Sequence, residues 1–326
     1  MATHWLRRVA PVAYALFAFN SGAVLAQTYP TRLIRMLVPY PAGGGVDWIA
    51  RNITLKLSEN LRQTIVIDNR PGATGNIGTE LAARAAPDGY TLLAAFSSMA
   101  SNAAVYRKLP FDTVNDFAPI TLLCVAPGVL VVTPSMPVKT VKEVIALAKK
   151  RPGEIIYASN PGPGSPGHLA MELFNMQAGV KMTHVPYKGG PQTAIALISG
   201  EAQLAVPTVD VILPIIKAGK VRAIAVASLE RVALLPGIPT IDESGLRGYE
   251  MTTWYALFAP AKTPAPIIER LNAETLKILQ LPDIRESFLQ QGLEVKSSTP
   301  EQLRSLLTTE IAKWGKVVAA TGAKID

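Results

Sequence analysis

The chain has 326 residues, 49% of them hydrophobic and 17% charged, enough for a sizeable core and roughly two domains. Its formal charge of +8 is scattered, with no Lys/Arg cluster interleaved with aromatics, which argues against a nucleic-acid partner. Cys124 is the only cysteine, which excludes an intrachain disulfide and a Cys-based zinc site.

Residues 1–26 carry Arg7 and Arg8 ahead of an apolar run from Val9 to Phe19, then a small-residue end at Val24-Leu25-Ala26. That is the layout of a secretory signal peptide, and the run is shorter than the ~20 residues of a membrane span. An N-terminal anchor helix is the alternative. The mature chain is expected to start near Gln27, outside the cytoplasm. Losing Arg7 and Arg8 leaves 30 basic against 24 acidic residues, a charge of +6, and a mild positive field gathers small anions.

From Arg32 onward strands alternate with helices. Strands are predicted at 34–40, 64–70 and 90–96, with helices at 47–61 and 77–86. An apolar stretch at 120–132 is too long for one ordinary strand and has Pro127-Gly128 in its middle. Then follow a helix (140–150), a strand (154–159), a helix (167–179), a strand (183–187), a helix (191–200), a strand (202–207), a helix (211–219) and a strand (221–228). Near-continuous apolar strands between helices predict an α/β fold with parallel-rich sheets flanked by helices. After 228 the chain turns rich in Pro and Gly, and it ends in amphipathic helices at 265–280, 282–292 and 299–322, introduced by Pro or Thr-Pro. The stretches near 124 and 228 are taken as crossings between two lobes. Lobe one would hold 27–123 and 228–326, and lobe two 124–227; a single large sheet is the alternative.

Four loops could carry chemistry. Ala42-Gly43-Gly44-Gly45 lies between a strand end and a helix start, where unpaired N–H groups and the helix dipole form an anion seat. Gly at these positions lets an incoming oxygen approach the backbone. Neither a dinucleotide fingerprint nor a P-loop is present: Trp48 stands three beyond Gly45, and no Gly-Lys-Ser/Thr follows. A flexible turn is the alternative. Gly72, Ala73, Thr74 and Gly75 repeat the pattern after the next strand, so two loops could converge on one carboxylate. The loop 159–168 places Ser165 and His168 before a helix. Ser165 as a nucleophile would need Gly at 163, where Pro163 stands; a helix cap is the plain reading, and a ring satisfied within its own helix start is that of His168. The last loop sets Tyr187 and Gly190 at a strand end, where a tyrosine can donate to an anion or simply pack at a rim.

Taken in order, "YPTRLIRMLVPYPAGGGVDWIAR", "VIDNRPGATGNIGTE", "APDGYTLL", "KLPFDTVNDFAPITLL", "HVPYKGG" and "IKAGKVRAIAV" resemble the Bug family, the periplasmic solute-binding receptors of tripartite tricarboxylate transporters. The resemblance covers essentially the whole mature chain. It implies a two-lobed type II periplasmic binding protein that closes on a small carboxylate, held largely by backbone N–H groups and ordered waters of the first two loops. By position, the resemblance assigns ligand contacts to Tyr40, Ala42, Gly43, Gly44 and Asp47, to Ala73, Thr74 and Asn76, to Ser97 and Ser98, and to Ser165, His168, Tyr187 and Gly190. Asp47 is better read as a first-turn cap, because like charges repel. Two usually acidic positions near the far end of the cleft carry Gln203 and Pro207 here. Their loss would admit a second negative charge or a more apolar tail, with Thr208 or Asp210 as part substitutes.

The expected function is a non-enzymatic periplasmic receptor that takes a mono- or dicarboxylate and delivers it to integral-membrane transporter subunits. A monomer without metal or organic cofactor is expected. A sensor-only binding protein for a two-component system and a secreted hydrolase using Ser165 and His168 are the rivals.

Overall fold

The computed structural model describes residues 29–160 and 162–324; the expected signal peptide, 1–26, lies outside them. Two sheets form. The first is built from β1 (Ile34–Val38), β2 (Ile65–Asn69), β3 (Thr91–Phe96), β4 (Phe117–Pro127), β10 (Thr252–Pro260) and β11 (Glu294–Val295), in the order β11-β4-β10-β3-β1-β2. The second holds β5 (Val129–Val132), β6 (Ile156–Ser159), β7 (Thr183–Pro186), β8 (Leu204–Ala205) and β9 (Arg222–Val226), in the order β7-β6-β8-β5-β9.

Both sheets are mixed. The expected parallel pairing occurs between β1 and its neighbours β2 and β3, and between β6 and its neighbours β7 and β8. Antiparallel pairing enters through the long strands that cross between sheets: β10 against β3 and β4, β11 against β4, and β5 against β8 and β9. The sequence reading missed β10, a continuous apolar run without a helical or strand period.

Each sheet is covered on both faces. Over the first, α1 (Gly45–Leu61), α8 (Ala265–Leu279) and α9 (Pro282–Gln290) bury Ile49, Ile53, Leu57, Leu271 and Phe288 against one face. The other face meets α2 (Asn76–Ala83), α3 (Ser98–Val105) and the first half of α10 (Pro300–Thr321), through Ala82, Met99, Leu303 and Leu307. On the second sheet, α4 (Val141–Lys150) and α5 (Pro166–Ala178) cover one face, and α6 (Gly190–Ser199) and α7 (Val209–Lys217) the other. Trp314, Val317 and Val318, in the last turns of α10, join the core of the second sheet.

The apolar stretch at 120–132 is one path through both sheets, broken at Gly128. Measured by sheet membership, β4 stays in the first sheet as far as Pro127, four residues past the expected crossing at 123/124. On the return, Ile241, Leu246, Tyr249 and Met251 still pack in the core of the second sheet, and β10 begins at Thr252. Gly128 N–H donates to Met251 O at 3.0 Å, Ala227 N–H to Gly128 O at 2.8 Å, and Met251 N–H to Ala227 O at 2.8 Å. A Cβ on Gly128 would lie 2.8 Å from both Met251 Sδ and Val206 Cγ1. Only glycine lets the three segments meet there.

Candidate ligand-binding site

The carboxyl ends of β1, β2 and β3 carry the two glycine-rich loops and the start of α3, all braced on Tyr40. The Tyr40 hydroxyl lies 2.5 Å from Ser98 Oγ, and its ring packs 4.7 Å from that of Phe96. Gly75 sits so close that a Cβ on it would lie 2.6 Å from the Tyr40 hydroxyl oxygen. Burial pushes the Tyr40 phenol well above its ordinary range, against the hydrogen bond shared with Ser98 that lowers it, so it stays neutral.

The first loop is stapled from within. Asp47, 2% exposed, accepts from Gly43 N–H at 2.8 Å and Arg51 Nε at 2.8 Å through Oδ2, and from Asn69 Nδ2 at 2.9 Å through Oδ1. Burial raises its carboxyl, but the bonds from Arg51, Gly43 and Asn69 outweigh that and hold it below the usual carboxylate range. Asp47 thus staples the first loop from the first turn of α1. Gly43 and Gly44 are not the free donors that the resemblance implied: Gly43 donates to Asp47, and Gly44 N–H reaches Pro41 O at 3.3 Å. Among the described residues, the next three amides, Gly45, Val46 and Asp47 in the first turn of α1, have no acceptor. Ala42 is exposed on the loop ahead of them.

The second loop keeps its donors. Four consecutive residues have left-handed or related backbone: Gly72 (φ 131°), Ala73 (φ 46°), Thr74 (φ 54°) and Gly75 (φ 91°). Positive φ at two residues that carry a Cβ is strain held in place by neighbours. Asn102 supplies that hold by donating Nδ2 to Thr74 O at 3.0 Å and to Asn76 Oδ1 at 2.8 Å. The Thr74 hydroxyl lies 3.1 Å from that of Tyr106. Among the described residues, the Ala73 and Thr74 amides have no acceptor. Ser97 stands apart: its Oγ is buried without a partner, and its N–H donates to Trp254 O at 2.9 Å.

Between the sheets lies a cavity of about 140 Å³, lined from the first sheet by Phe96, Thr253 and Tyr255 and from the second by Ser159, Thr193 and Thr208, among others. One water needs only ~10–15 Å³ on this measure, so the space suits a small molecule. None of the described residues lining it is charged; Ala158, Val206, Pro207, Val211 and Met251 give it an apolar middle. Tyr255, 7% exposed, has no hydrogen-bond partner for its hydroxyl among the described residues, and that oxygen lies 3.8 Å from where a Cβ on Gly45 would be. Tyr255 thus neighbours the start of α1, while no described residue of either glycine-rich loop lines the cavity itself.

The second-sheet candidates divide. Thr208, the N-cap of α7, lines the cavity. Gly190 opens α6 beside Val211, with 3.2 Å between a Cβ there and Val211 Cγ1. Ser165 is fully buried and caps α5 by accepting from His168 N–H at 3.4 Å. His168 turns its ring away and accepts from Gly164 N–H at Nδ1, 2.9 Å away; the Ser165–His168 pair a hydrolase would need does not form. Tyr187 points its hydroxyl at Glu201, 2.9 Å away; burial, and then that carboxylate, push its phenol up to about 12. It does not donate into the cavity. Asp210 sits behind Thr208 against the turn after α9, where a Cβ on Gly292 would come within 2.9 Å of its Cα. Its Oδ1 is buried without a partner, and burial raises its carboxyl above the ordinary range.

Gln203 is not at the far end of the cleft. Its side chain accepts from Ile156 N–H at 2.8 Å and donates to Gly200 O at 2.9 Å, holding the start of β6. Pro207 does line the cavity. Phe96, Ser159, Thr193, Thr253 and Tyr255 were not singled out from the sequence. Ser159 opens the loop 159–168 and could have been flagged by that position, whereas Tyr255 and Thr253 lie on the overlooked β10.

The model of the tripartite tricarboxylate transporter family receptor matches residues 49–323. Protein BugT of Bordetella pertussis is 36% identical over 307 residues, covering 94% of each chain. Among solved structures, R. palustris Rpa4515 with adipate superposes with a TM-score of 0.80 at 36% identity, covering 90% of this chain and 98% of that one. MatC from Rhodopseudomonas palustris with bound malate gives a TM-score of 0.77 at 32% identity, covering 89% and 100%. With a family model matched over residues 49–323 and a relative 36% identical over 94% of its length, this chain belongs to the tripartite tricarboxylate transporter receptor family.

Proposed function

We propose that the protein is a periplasmic receptor that closes two lobes on a small carboxylate and presents it to a membrane transporter. One observation carries the reading: among the described residues the cleft has no charged lining residue, and the amides of Gly45, Val46 and Asp47 in the first turn of α1, beside the cleft-lining Tyr255, and of Ala73 and Thr74 in the second loop have no acceptor. Oriented N–H groups in a water-poor site hold an anion without a cationic side chain. That the solved relatives hold adipate and malate supports an acid of four to six carbons as ligand. The apolar middle of the cleft suits the methylene chain of such an acid.

The lobes are the two sheets with their helices, joined where Gly128, Ala227 and Met251 exchange hydrogen bonds. A ligand that bridges both lobes shifts the population towards the closed form. Export by the 1–26 leader and a periplasmic site of action follow the family. The role is binding, not catalysis; the family is one of receptors, and Ser165 lacks a base.

Thermal shift with mono- and dicarboxylates beside their primary amides tests the reading. At least one acid should raise the melting temperature while its amide does not; amides that stabilise where acids fail would overturn the anion seat.

A further inference from the structure

Ser159 ends β6, lines the cleft and is only 2% exposed. Behind its hydroxyl stands His184 on β7, with Nε2 2.6 Å from Ser159 Oγ. The strand register explains the meeting: Tyr157 pairs with His184, and Tyr157 and Ser159 share one face of β6. The rings of Tyr157 and His184 stack at 5.0 Å, and His168 on α5 stacks over His184 at 4.0 Å. His184 stacks against both rings and aims Nε2 at Ser159.

We infer that Ser159 is the second lobe's direct hydrogen-bond donor to the bound acid, and that His184 is the positioning residue that sets the direction of its hydroxyl. This rests on the receptor reading and adds a contact to it.

The neighbouring polar groups are engaged elsewhere. Asn160 Nδ2 donates to Thr193 Oγ1 at 3.2 Å, and Thr193 donates to Gly189 O at 3.3 Å. Among the described residues, the other hydrogen-bond contact of Ser159 Oγ is Gly162 O at 3.5 Å, the outer limit of a hydrogen bond. The two histidines differ in what fixes their protons. His168 accepts from Gly164 N–H at Nδ1, so its proton is on Nε2, which faces Glu172 Oε1 at 4.0 Å. For Nδ1 of His184 there is no partner among the described residues, so its tautomer is set from the Ser159 side. With the proton on Nε2, His184 donates to Ser159 Oγ, and the hydroxyl hydrogen is free for an anion in the cleft. With the proton on Nδ1, Ser159 donates backwards and shows the cleft a lone pair. A bound carboxylate selects the first arrangement; a ligand hydroxyl or amine selects the second.

The test is calorimetric titration of succinate, malate and adipate into wild type, S159A, H184F, H184Q and S159A/H184F, each checked for folding by circular dichroism. S159A should weaken the tightest acid ~10-fold or more, the usual worth of a hydrogen bond to a charged group. H184F, which keeps the ring stack, should lose several-fold, and H184Q, whose amide can take the Nε2 place, should recover most of it. In the S159A background H184F should have no further effect, and ring 15N spectra of the saturated wild type should show His184 protonated at Nε2. Unchanged affinity in S159A, or additive losses in the double variant, would overturn this inference while leaving the receptor reading standing. If H184F does not fold, S159A and H184Q decide alone. Failure of all three acids to bind wild type would overturn the receptor reading and this inference with it.

Discussion

Replacing Gly75 with alanine puts a methyl group where the Tyr40 ring already lies. Two costs add. Gly75 has φ 91°, and a Cβ at positive φ costs roughly 1–2 kcal/mol, partly offset by the stiffer unfolded chain. The new Cβ would also stand 2.6 Å from the Tyr40 hydroxyl oxygen and 2.8 Å from Cζ, so the ring must move. Moving it breaks the 2.5 Å contact with Ser98 and the 4.7 Å packing on Phe96, an overpacking cost of about 1–3 kcal/mol. Gly43 is the control. Its φ is 78°, and nothing lies within 4 Å of a Cβ there, so Gly43→Ala incurs the backbone cost alone. Urea unfolding of the two variants should differ by about 1–3 kcal/mol, with Gly75→Ala the weaker protein. Acid affinity measured by calorimetry should fall more in Gly75→Ala, because both loops lean on Tyr40. Equal unfolding midpoints and equal affinities would refute the bracing role of Tyr40.

Tyr255→Phe removes a hydroxyl that has no partner among the described residues, so unfolding should stay within about 0.5 kcal/mol while acid affinity drops ~10-fold or more, read by calorimetry. His168 is 7% exposed, and burial lowers its pKa from 6.5 to about 4. Above pH 6.5 the ring is neutral in both states. As pH falls below 6.5 the unfolded chain takes up the proton first, and stability declines by on the order of 3 kcal/mol by pH 4. His184, also lowered to about 4 by burial and then by His168, adds to this slope. His168→Asn, whose Oδ1 can accept from Gly164 N–H, should show a shallower decline in urea unfolding between pH 6.5 and 4. Asp47→Asn keeps the shape but removes the charge that draws Gly43, Arg51 and Asn69 together. It should cost about 1–3 kcal/mol in urea unfolding and raise the mobility of residues 41–44 in hydrogen exchange.

Much of the fold could be read from strand and helix alternation, because the parallel strands β1, β2, β3 and β6 are short, largely apolar runs bounded by turn residues. The overlooked pieces have physical reasons. β10 follows a Pro/Gly-rich stretch, and with both faces covered it shows no alternation. β11 has two residues, and α3 reads "SMASNAAV", small residues with no clear apolar stripe. Within the candidate site, glycine runs drew attention to both loops, but not to which amides stay free. That depends on Asp47 reaching back to Gly43, a tertiary detail of the loop. Tyr187 and Gln203 show the same limit: a residue's type suggested a donor or a lost acid, and the rotamer sends one side chain to Glu201 and the other to Ile156 and Gly200.

Amide 1H–15N spectra, recorded while the tightest acid of the panel is titrated in, measure most directly whether bare peptide N–H groups grip the ligand. Gly45, Val46, Asp47, Ala73 and Thr74 should move downfield together and saturate at the calorimetric stoichiometry, with Gly43 and Gly44 moving less. If those five amides stay still while the acid binds, the grip lies elsewhere and the anion seat is contradicted.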